Sequence, residues 1–250
     1  MSEPAIVVRS LSYAYPDGTA ALRDVALSVV TGEVVGLLGP NGSGKSTLLH
    51  HLNGILPESG GAGAAVMICG RPITASNAHE IRRDVGLVFQ DPDDQLFCAS
   101  VLEDVRFGPE QLGLSEAETA ARAAEALRAV GLTDLALRPP HHLSVGEKRR
   151  ACLAGVLACQ PRVLVLDEPT SGLDPRGRRE LITLLRGLHA TMLIASHDLE
   201  FVVEVCPRSV LLDSGRVVAD GDTRTLLSDE TLMLAHGLEK PHILQHHHPH

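Results

Sequence analysis

The feature that most constrains the fold is a glycine-rich segment, Gly39–Thr47, with the sequence GPNGSGKST. It follows the apolar run Val34–Leu38 and overlaps the start of a stretch, Ser46–Asn53, that we predict to be helical. A strand, a glycine-rich turn and a helix in this order form a phosphate-binding loop, because glycines let backbone N–H groups converge on phosphate oxygens. The segment therefore predicts an α/β fold that binds a phosphorylated ligand.

The residues of this loop differ in what they can contribute. The Lys45 ammonium supplies a point charge for the phosphates, and the Ser46 hydroxyl is placed to ligate Mg²⁺. We expect further contacts to the ligand from the same loop, at Gly39, Asn41, Gly42, Ser43, Gly44 and Thr47.

A second candidate site is a pair of carboxylates at the end of an apolar run. Val163–Leu166 predicts a buried strand, and Asp167 and Glu168 follow it directly. In a parallel sheet, ligands bind beyond the carboxyl ends of the strands, which is also where the phosphate loop lies. We therefore expect Asp167 to join the Mg²⁺ ligands and Glu168 to position the attacking water.

The rest of the chain alternates between strand and helix patterns, which favours a mostly parallel α/β sheet. Residues from Gln90 to about Gln160 have no strand pattern and predict a helical insertion, in which Ser115 and Glu118 form a capping-box pattern. The Ser214-Gly215 pair predicts a hairpin. Further strands are predicted at Ile6–Ser10, Val25–Val29, Val85–Phe89, Met192–Ala195 and Val210–Asp213.

Composition argues against nucleic acid as a partner and against a membrane-spanning segment, and it predicts where the protein is located. The formal net charge of −9 argues against electrostatic binding of nucleic acid, and four Phe, two Tyr and no Trp leave little for base stacking. The longest apolar stretch, Ala151–Cys159, has about nine residues, and a membrane span needs ~20. Glu3 and Pro4 stand where a signal peptide would begin, so we expect a soluble cytoplasmic protein.

Five further segments carry a resemblance to a known family. Leu143–Glu147 reads LSVGE and resembles the LSGGQ signature of ATP-binding-cassette (ABC) ATPases. Gln90 resembles the glutamine of their Q-loop, Ser171–Asp174 their D-loop, and Ser196–Asp198 the segment with their switch histidine. Tyr15 stands where the family stacks an aromatic ring on adenine. With the phosphate loop and the acidic pair, the resemblance covers residues 5 to 222.

The resemblance implies ATP hydrolysis with Mg²⁺ by subunits that pair head to tail, with the signature of one facing the phosphate loop of the other. It implies catalytic roles for Glu168, His197, Lys45 and Gln90, and metal contacts from Ser46, Gln90 and Asp167. Beyond the loop, the nucleotide contacts implied are Tyr15, Ser144, Gly146, Glu147 and Asp174.

The resemblance also implies a P-loop (RecA-like) core with a mostly parallel sheet, an antiparallel β subdomain and an inserted α-helical subdomain. We expect the nucleotide-binding core at residues 1–90 and 160–222, with the helical subdomain, including Q-loop and signature, at 91–159. A C-terminal helix and a histidine-rich tail would occupy residues 223–250.

Two residues depart from the family pattern. Val145 replaces the first glycine of the signature pair, and valine resists positive φ. We therefore expect the nucleotide to approach the backbone less closely at this position than the family pattern requires. Glu147 replaces glutamine and places a negative charge near the nucleotide face.

Within the family, Val88–Phe97, Val101–Val105 and Phe107–Pro109 resemble the ATPases of energy-coupling-factor (ECF) importers, above all the CbiO/NikO type, and Asn53–Leu56 and Lys148–Arg150 also suit that group. The resemblance implies a homodimer bound to a membrane-embedded coupling subunit and substrate-binding subunit, peripheral on the cytoplasmic face of the inner membrane. It implies transport of cobalt more than nickel. The acidic residues Asp91, Asp93 and Asp94, beside apolar neighbours, are predicted to receive an Arg-bearing amphipathic helix.

Two alternatives remain open, an ECF importer of vitamins and a soluble ABC ATPase of a cluster-assembly system. A chromosome-maintenance ATPase is excluded, because it needs a long coiled coil between Lys45 and Ser144, and 99 residues separate these two positions.

The last nine residues hold five of the chain's thirteen histidines, His242, His246, His247, His248 and His250. Neutral imidazoles suit Co²⁺ and Ni²⁺, so this tail predicts a metal-binding segment, the alternative being a polar end that binds nothing.

Removing the tail should therefore remove a Co²⁺ and Ni²⁺ site. Calorimetric titration of each metal into the full chain and into one that ends at Lys240 should show binding by the full chain only. Affinity should fall below pH ~6.5, because imidazole must be neutral to bind. Equal binding by the two chains would dismiss the tail as a metal site.

Overall fold

The structure is a computed structural model that describes residues 3–57 and 63–245. Its strands are β1 Pro4–Ala14, β2 Ala20–Val30, β3 Val34–Leu38, β4 Gly63–Ile68, β5 Arg71–Ile73, β6 Val85–Val88, β7 Val163–Asp167, β8 Thr191–Ala195, β9 Arg208–Asp213 and β10 Arg216–Asp222. Its helices are α1 Lys45–Leu52, α2 Ala78–Asp84, α3 Val101–Gln111, α4 Glu116–Ala129, α5 Val145–Ala158, α6 Pro175–Gly187, α7 Leu199–Val205, α8 Thr223–Ser228 and α9 Glu230–Ala235.

The strands form two sheets. In the larger sheet the order is β10-β9-β3-β8-β7-β6, and neighbours are parallel except for the β9–β10 hairpin at Ser214-Gly215. In the smaller sheet the order is β2-β1-β4-β5, and all neighbours are antiparallel. The predicted fold class, an α/β P-loop architecture with a mostly parallel sheet and an antiparallel β part, is confirmed.

The central strands are apolar on both faces, because the larger sheet is covered on both sides. In β7, Leu164 and Leu166 pack into one hydrophobic cluster, whereas Val163 and Val165 pack into the other. The first cluster contains the helices of the insertion and α7, and the second contains α1 and the smaller sheet. This two-sided burial explains why β3, β7 and β8 read as continuous apolar runs.

Serine caps delimit the helices between residues 91 and 159. Ser100, Ser115 and Ser144 accept a hydrogen bond from the backbone N–H three residues later, at the start of α3, α4 and α5. Ser115 and Ser144 also belong to complete capping boxes with Glu118 and Glu147. The box predicted from the sequence at Ser115 is thus present, and the box at Ser144 fixes where the signature helix α5 begins.

Several elements were missed or shortened by the sequence patterns. β1 and β2 extend beyond the predicted runs, because register shifts and left-handed residues at Ser10 (φ 48°) and Asp24 (φ 56°) interrupt the alternation of their side chains. β4, β5 and α2 were not predicted; β5 has only three residues, and α2 has seven, of which Ile81 is buried. The predicted C-terminal helix is two short helices, α8 and α9.

The histidine-rich tail is described only at its start. His242 opens a single 3₁₀ turn, His242–Leu244, and His246, His247, His248 and His250 lie outside the described residues. Across residues 3–57 and 63–245, each helix is too short or too polar to cross a bilayer.

Two phenylalanines provide a matched test of the core. Phe201 on α7 is fully buried, whereas Phe97 is 65% exposed. Phe201→Ala should lower the free energy of unfolding by about 3–5 kcal/mol, through lost burial and a residual cavity, and Phe97→Ala by less than about 1.5 kcal/mol. Urea unfolding measures both changes. Equal losses would contradict the placement of Phe201.

Candidate functional site

The phosphate loop connects the end of β3 to the start of α1 in a conformation that requires glycine. Gly44, the residue before α1, has φ 105°, and a Cβ there would lie 2.6 Å from the backbone oxygen of Ala21. Gly42 is also left-handed, with φ 77°. This geometry points the first N–H groups of α1 into the loop, where an anion binds.

Lys45 is held at the centre of the loop by backbone carbonyls. Its Nζ donates to the oxygens of Gly39 (2.8 Å) and Pro40 (3.1 Å), and it lies 4.0 Å from Oε1 of Glu168. Burial lowers the pKa of Lys45, and the negative charges of Glu168 and Asp167 act in the opposite direction. The ammonium is therefore desolvated and preoriented to receive phosphate oxygens.

Two buried side-chain oxygens, one in the phosphate loop and one at the end of β7, are suited to contact the predicted nucleotide and Mg²⁺. Ser43 Oγ and Asp167 Oδ1 are both buried, and neither has a hydrogen-bond partner in the residues that the structure describes. Asp167 ends β7 with 5% of its surface exposed and lines a cavity of about 710 Å³ together with Ser46 and Gln90. A carboxylate, a hydroxyl and an amide oxygen are the hard ligands that Mg²⁺ prefers, so these residues fit the metal.

Glu168, whose Oε1 lies 4.0 Å from Lys45, is also in polar contact with His197. Oε2 of Glu168 lies 2.7 Å from Nδ1 of His197 and accepts a hydrogen bond from the backbone N–H of His197 (3.1 Å). Glu168 is 5% exposed and has φ 46°, a left-handed conformation that costs energy in a residue other than glycine. The backbone turn after β7 thus directs this carboxylate toward His197 and Lys45.

The aromatic ring predicted to face adenine is held by contacts that the sequence patterns did not reveal. The Tyr15 hydroxyl lies 2.8 Å from Oγ1 of Thr47, and its ring meets Tyr13 edge to face at 5.2 Å. Tyr13 in turn meets the buried ring of His51 at 4.7 Å, and Nδ1 of His51 lies 2.8 Å from the oxygen of Thr47. Tyr13 and His51 therefore position Tyr15. The spacing of Tyr13 and Tyr15, two residues apart at the end of β1, is the signal that could have found the first of them.

Most predicted nucleotide-binding residues lie around one cavity of about 490 Å³. It is lined by Tyr15, Asn41, Gly42, Gly44, Lys45, Ser46, Thr47, Gln90, Glu168 and His197, with Thr19, Ala20 and Ala21. Gly39 and Ser43 lie behind this lining: the Gly39 backbone approaches the Leu212 carbonyl closely, leaving no room for a Cβ.

The predicted signature residues lie in a different cavity of about 490 Å³, with Ser144, Gly146, Glu147 and Asp174 in its wall. Among the described residues, this lining has no member in common with that of the nucleotide cavity. Asp174 caps α6 by accepting a hydrogen bond from Gly177 N–H (2.8 Å).

The two departures from the signature pattern have local explanations. Val145 is the first residue of α5 and is not left-handed, so the backbone tolerates a side chain there. Oε2 of Glu147 accepts hydrogen bonds from the backbone N–H and the hydroxyl of Ser144, both at 2.8 Å. These bonds lower the pKa of Glu147, so its charge is retained at neutral pH and is engaged in the cap.

Together, the fold and the site define a P-loop nucleotide hydrolase with an inserted helical region. The chain belongs to the ABC transporter family, whose pattern matches residues 22–171. It is an ATP hydrolase that binds ATP with Mg²⁺, which confirms the predicted activity and cofactors.

Similar proteins cover nearly the whole chain. It is 54% identical to an ABC transporter ATP-binding protein of Streptomyces avermitilis, over 96% of this chain and 91% of that one. It is 48% identical to the cobalt import ATP-binding protein CbiO of Rhodobacter capsulatus, over 96% and 87%. The energy-coupling factor transporter ATP-binding protein EcfA of Carboxydothermus hydrogenoformans is 46% identical, over 95% and 87%.

Solved structures are similar as well. CbiO1 of Clostridium perfringens, part of the ABC transporter complex CbiONQ, is 39% identical with a TM-score of 0.81, and 98% of each chain is covered. A dimeric ATP-binding cassette in a post-hydrolysis state, bound to ADP and Pi, is 28% identical with a TM-score of 0.75, over 87% of this chain and 98% of that one.

Replacing the predicted catalytic carboxylate should separate binding from turnover. Glu168→Gln should keep ATP binding and lower kcat about 10²–10³-fold, because the carboxylate positions the attacking water and does not hold phosphate. Steady-state hydrolysis and binding of a fluorescent ATP analogue measure the two effects. Near-normal turnover would remove Glu168 from the catalytic role.

Proposed function

We propose that this chain is the ATPase subunit of an ECF-type importer for a divalent transition metal, cobalt rather than nickel. It works as a head-to-tail dimer, peripheral to the cytoplasmic face of the membrane, on a coupling subunit and a substrate-binding subunit. The similarity to a cobalt import ATP-binding protein and to a CbiO structure supports this assignment.

The separation of the two predicted half-sites supports a head-to-tail dimer. Lys45 and Glu168 line one cavity and Ser144 and Asp174 another, so the signature needs the nucleotide of a second copy. The start of α5 would present N–H groups, a positive dipole and the Ser144 hydroxyl to the γ-phosphate of the partner. ATP then holds the two subunits together until hydrolysis removes the γ-phosphate.

In hydrolysis, the residues of this chain bind and orient. Lys45 and the loop N–H groups hold the β- and γ-phosphates, and Glu168 orients water with His197 beside it. Ser46, Gln90 and Asp167 would hold Mg²⁺, which neutralises developing phosphate charge when bound.

The observation that carries the importer assignment is an apolar groove beside α3. The groove, of about 310 Å³, is lined by Phe89, Leu96, Phe97 and Phe107 among others. The rings of Phe97 and Phe107 meet edge to face at 4.9 Å, yet they are 65% and 42% exposed. Exposed aromatic rings along a groove favour a partner that covers them, such as an amphipathic helix.

A buried carboxylate gives this groove a charge preference. Asp104 lines the groove, is 9% exposed and accepts the N–H groups of Phe97 and Cys98 through Oδ1, at 3.0 Å each. Its Oδ2 is buried without a hydrogen-bond partner in the described part of the chain. An arginine on the incoming helix would lie beside this carboxylate and balance its charge.

The acidic segment predicted to receive this arginine is partly engaged within the chain. Oδ1 of Asp91 accepts the N–H of Asp93 (2.9 Å), and Asp93 pairs with Lys148 at 2.6 Å. Asp104 is therefore the stronger candidate, with Asp94 an additional charge at the rim of the neighbouring cavity.

In this proposal residues 91–159 are the docking unit, residues 1–90 and 160–222 the nucleotide-binding core, and residues 223–250 a C-terminal segment. Cobalt is preferred because of the CbiO relative, which is a cobalt import ATP-binding protein. A vitamin importer remains the second candidate, since the EcfA relative at 46% identity is an energy-coupling factor transporter ATP-binding protein whose name specifies no solute.

Variants in the groove should weaken assembly without affecting nucleotide binding. Asp104→Asn keeps a carbonyl oxygen for the two N–H groups but loses the charge, and Phe97→Ala removes the most exposed ring. Either change, and the double change Asp93→Asn with Asp94→Asn, should reduce recovery of hydrophobic subunits with the tagged chain from detergent-solubilised membranes. We expect Asp104→Asn to have the larger effect of the two charge changes.

The control is Asp134→Asn, which removes an exposed charge between α4 and α5. It should leave both assembly and binding of ATP unchanged. Unchanged recovery with every groove variant would refute the docking surface. Recovery with soluble scaffold proteins in place of membrane subunits would favour the cluster-assembly alternative.

A further inference from the structure

A buried arginine connects the signature helix to two loops of the cavity of about 710 Å³ that is lined by Ser46, Gln90 and Asp167, the residues predicted to hold Mg²⁺. Arg149, in the first turns of α5, is 5% exposed. Its Nη1 donates to the backbone oxygen of Phe89 at 3.1 Å, and its Nη2 donates to that of Ser171 at 3.0 Å. Phe89 and Ser171 are 60 and 22 residues away in the sequence, so one side chain joins three separate segments.

These contacts are an unusual use of a charged group. Among the described residues, Arg149 has no carboxylate within ion-pair distance, and its Nε is buried without a hydrogen-bond partner. Burial lowers its pKa, while negative groups nearby, including Asp91 and Glu168, oppose that shift. A buried guanidinium bonded only to neutral carbonyls costs more than an apolar side chain of similar size, so packing alone does not explain it.

The two carbonyls belong to residues that lead directly into the predicted site. Phe89 precedes Gln90, and both line the cavity that contains Ser46 and Asp167. Ser171 closes the turn after β7, where its own N–H donates to the oxygen of Glu168 at 3.1 Å. Arg149 lines the same cavity, so its planar fork fixes the backbone on two sides of the position where Mg²⁺ would bind.

We propose that Arg149 is a positioning residue that sets the placement of Gln90 and of the Glu168 turn according to the position of the signature helix. Because Arg149 is part of α5, any movement of that helix relative to the core changes both hydrogen bonds at once. The inference rests on the ATP hydrolysis part of the proposed function, and it requires neither a membrane subunit nor a particular transported solute.

The test compares Arg149→Lys and Arg149→Gln with the parent chain, using purified full-length protein. Lysine keeps the charge but cannot span two divergent carbonyls, and glutamine can reach at most one of them. We expect kcat to fall about 10- to 100-fold in each variant, with KM for ATP within about threefold of the parent, since misplaced groups impair the reacting geometry more than phosphate binding.

A readout independent of turnover is the rise in unfolding temperature caused by ATP, measured with EDTA and with Mg²⁺. Both variants should match the parent in EDTA and lose most of the additional rise that Mg²⁺ gives. The control is Arg186→Lys, in which an arginine that also donates to a backbone oxygen, that of Glu204, lies far from this cavity and is 55% exposed. It should behave as the parent does in both measurements.

A merely structural role for Arg149 would give a different pattern. The unfolding temperature without ligand would fall, while kcat per folded molecule and the Mg²⁺-dependent rise would stay within twofold of the parent, and this result would overturn the proposal. Failure of both variants to fold would also assign Arg149 to the core and overturn it. Loss of membrane partners with the Arg149 results intact would affect only the importer assignment.

Discussion

The site depends on the in-register parallel pairing of β3, β8 and β7. Leu37 of β3 and Asp167 of β7 both pair with Ala195 of β8, so the three strands end at the same level. The phosphate loop, the acidic pair and His197 each follow one of these ends, and they meet although they are distant in the sequence. A shift of one residue in either pairing would turn Asp167 to the opposite face and separate it from Ser46.

The charges of the residues that follow these strand ends must also balance one another. Lys45, Asp167 and Glu168 are all largely withdrawn from water, and an isolated charge there would be costly. The ammonium lies 4.0 Å from Glu168 and is bonded to two loop carbonyls, while one oxygen of Asp167 has no partner in the described residues. The lysine therefore has its polar partners within this edge of the sheet, whereas the carboxylate oxygen of Asp167 is left for the Mg²⁺ that we propose to bind there.

The sequence predicted those parts of the site that are encoded by adjacent residues. The phosphate loop, the Asp167-Glu168 pair and the Ser115 capping box are local patterns, and the bounds of α1 and β7 lie within one residue of those predicted. Asp104 and Arg149 lie in segments that carry the ECF resemblance, but neither was assigned a role, because their importance comes from contacts made across the fold. Arg149 in particular reads as one of three consecutive cations, Lys148–Arg150, and the structure separates them. Lys148 pairs with Asp93, Arg150 with Glu180, and Arg149 is buried.

The contacts of Arg149 would also connect the docking groove and the signature with the loops around the predicted Mg²⁺ site. The groove lies between the helical insertion and the core, and the signature lies at the start of α5, whereas Lys45 begins α1 and Glu168 follows β7. The α5 backbone carries Ser144 at its start and Arg149 one turn later, so the residue that would meet the γ-phosphate of a second copy moves with the residue that holds Phe89 and Ser171. A partner that tilts the insertion would therefore shift the signature and the metal-side loops together. Such coupling needs no long pathway, because one rigid helix makes both sets of contacts.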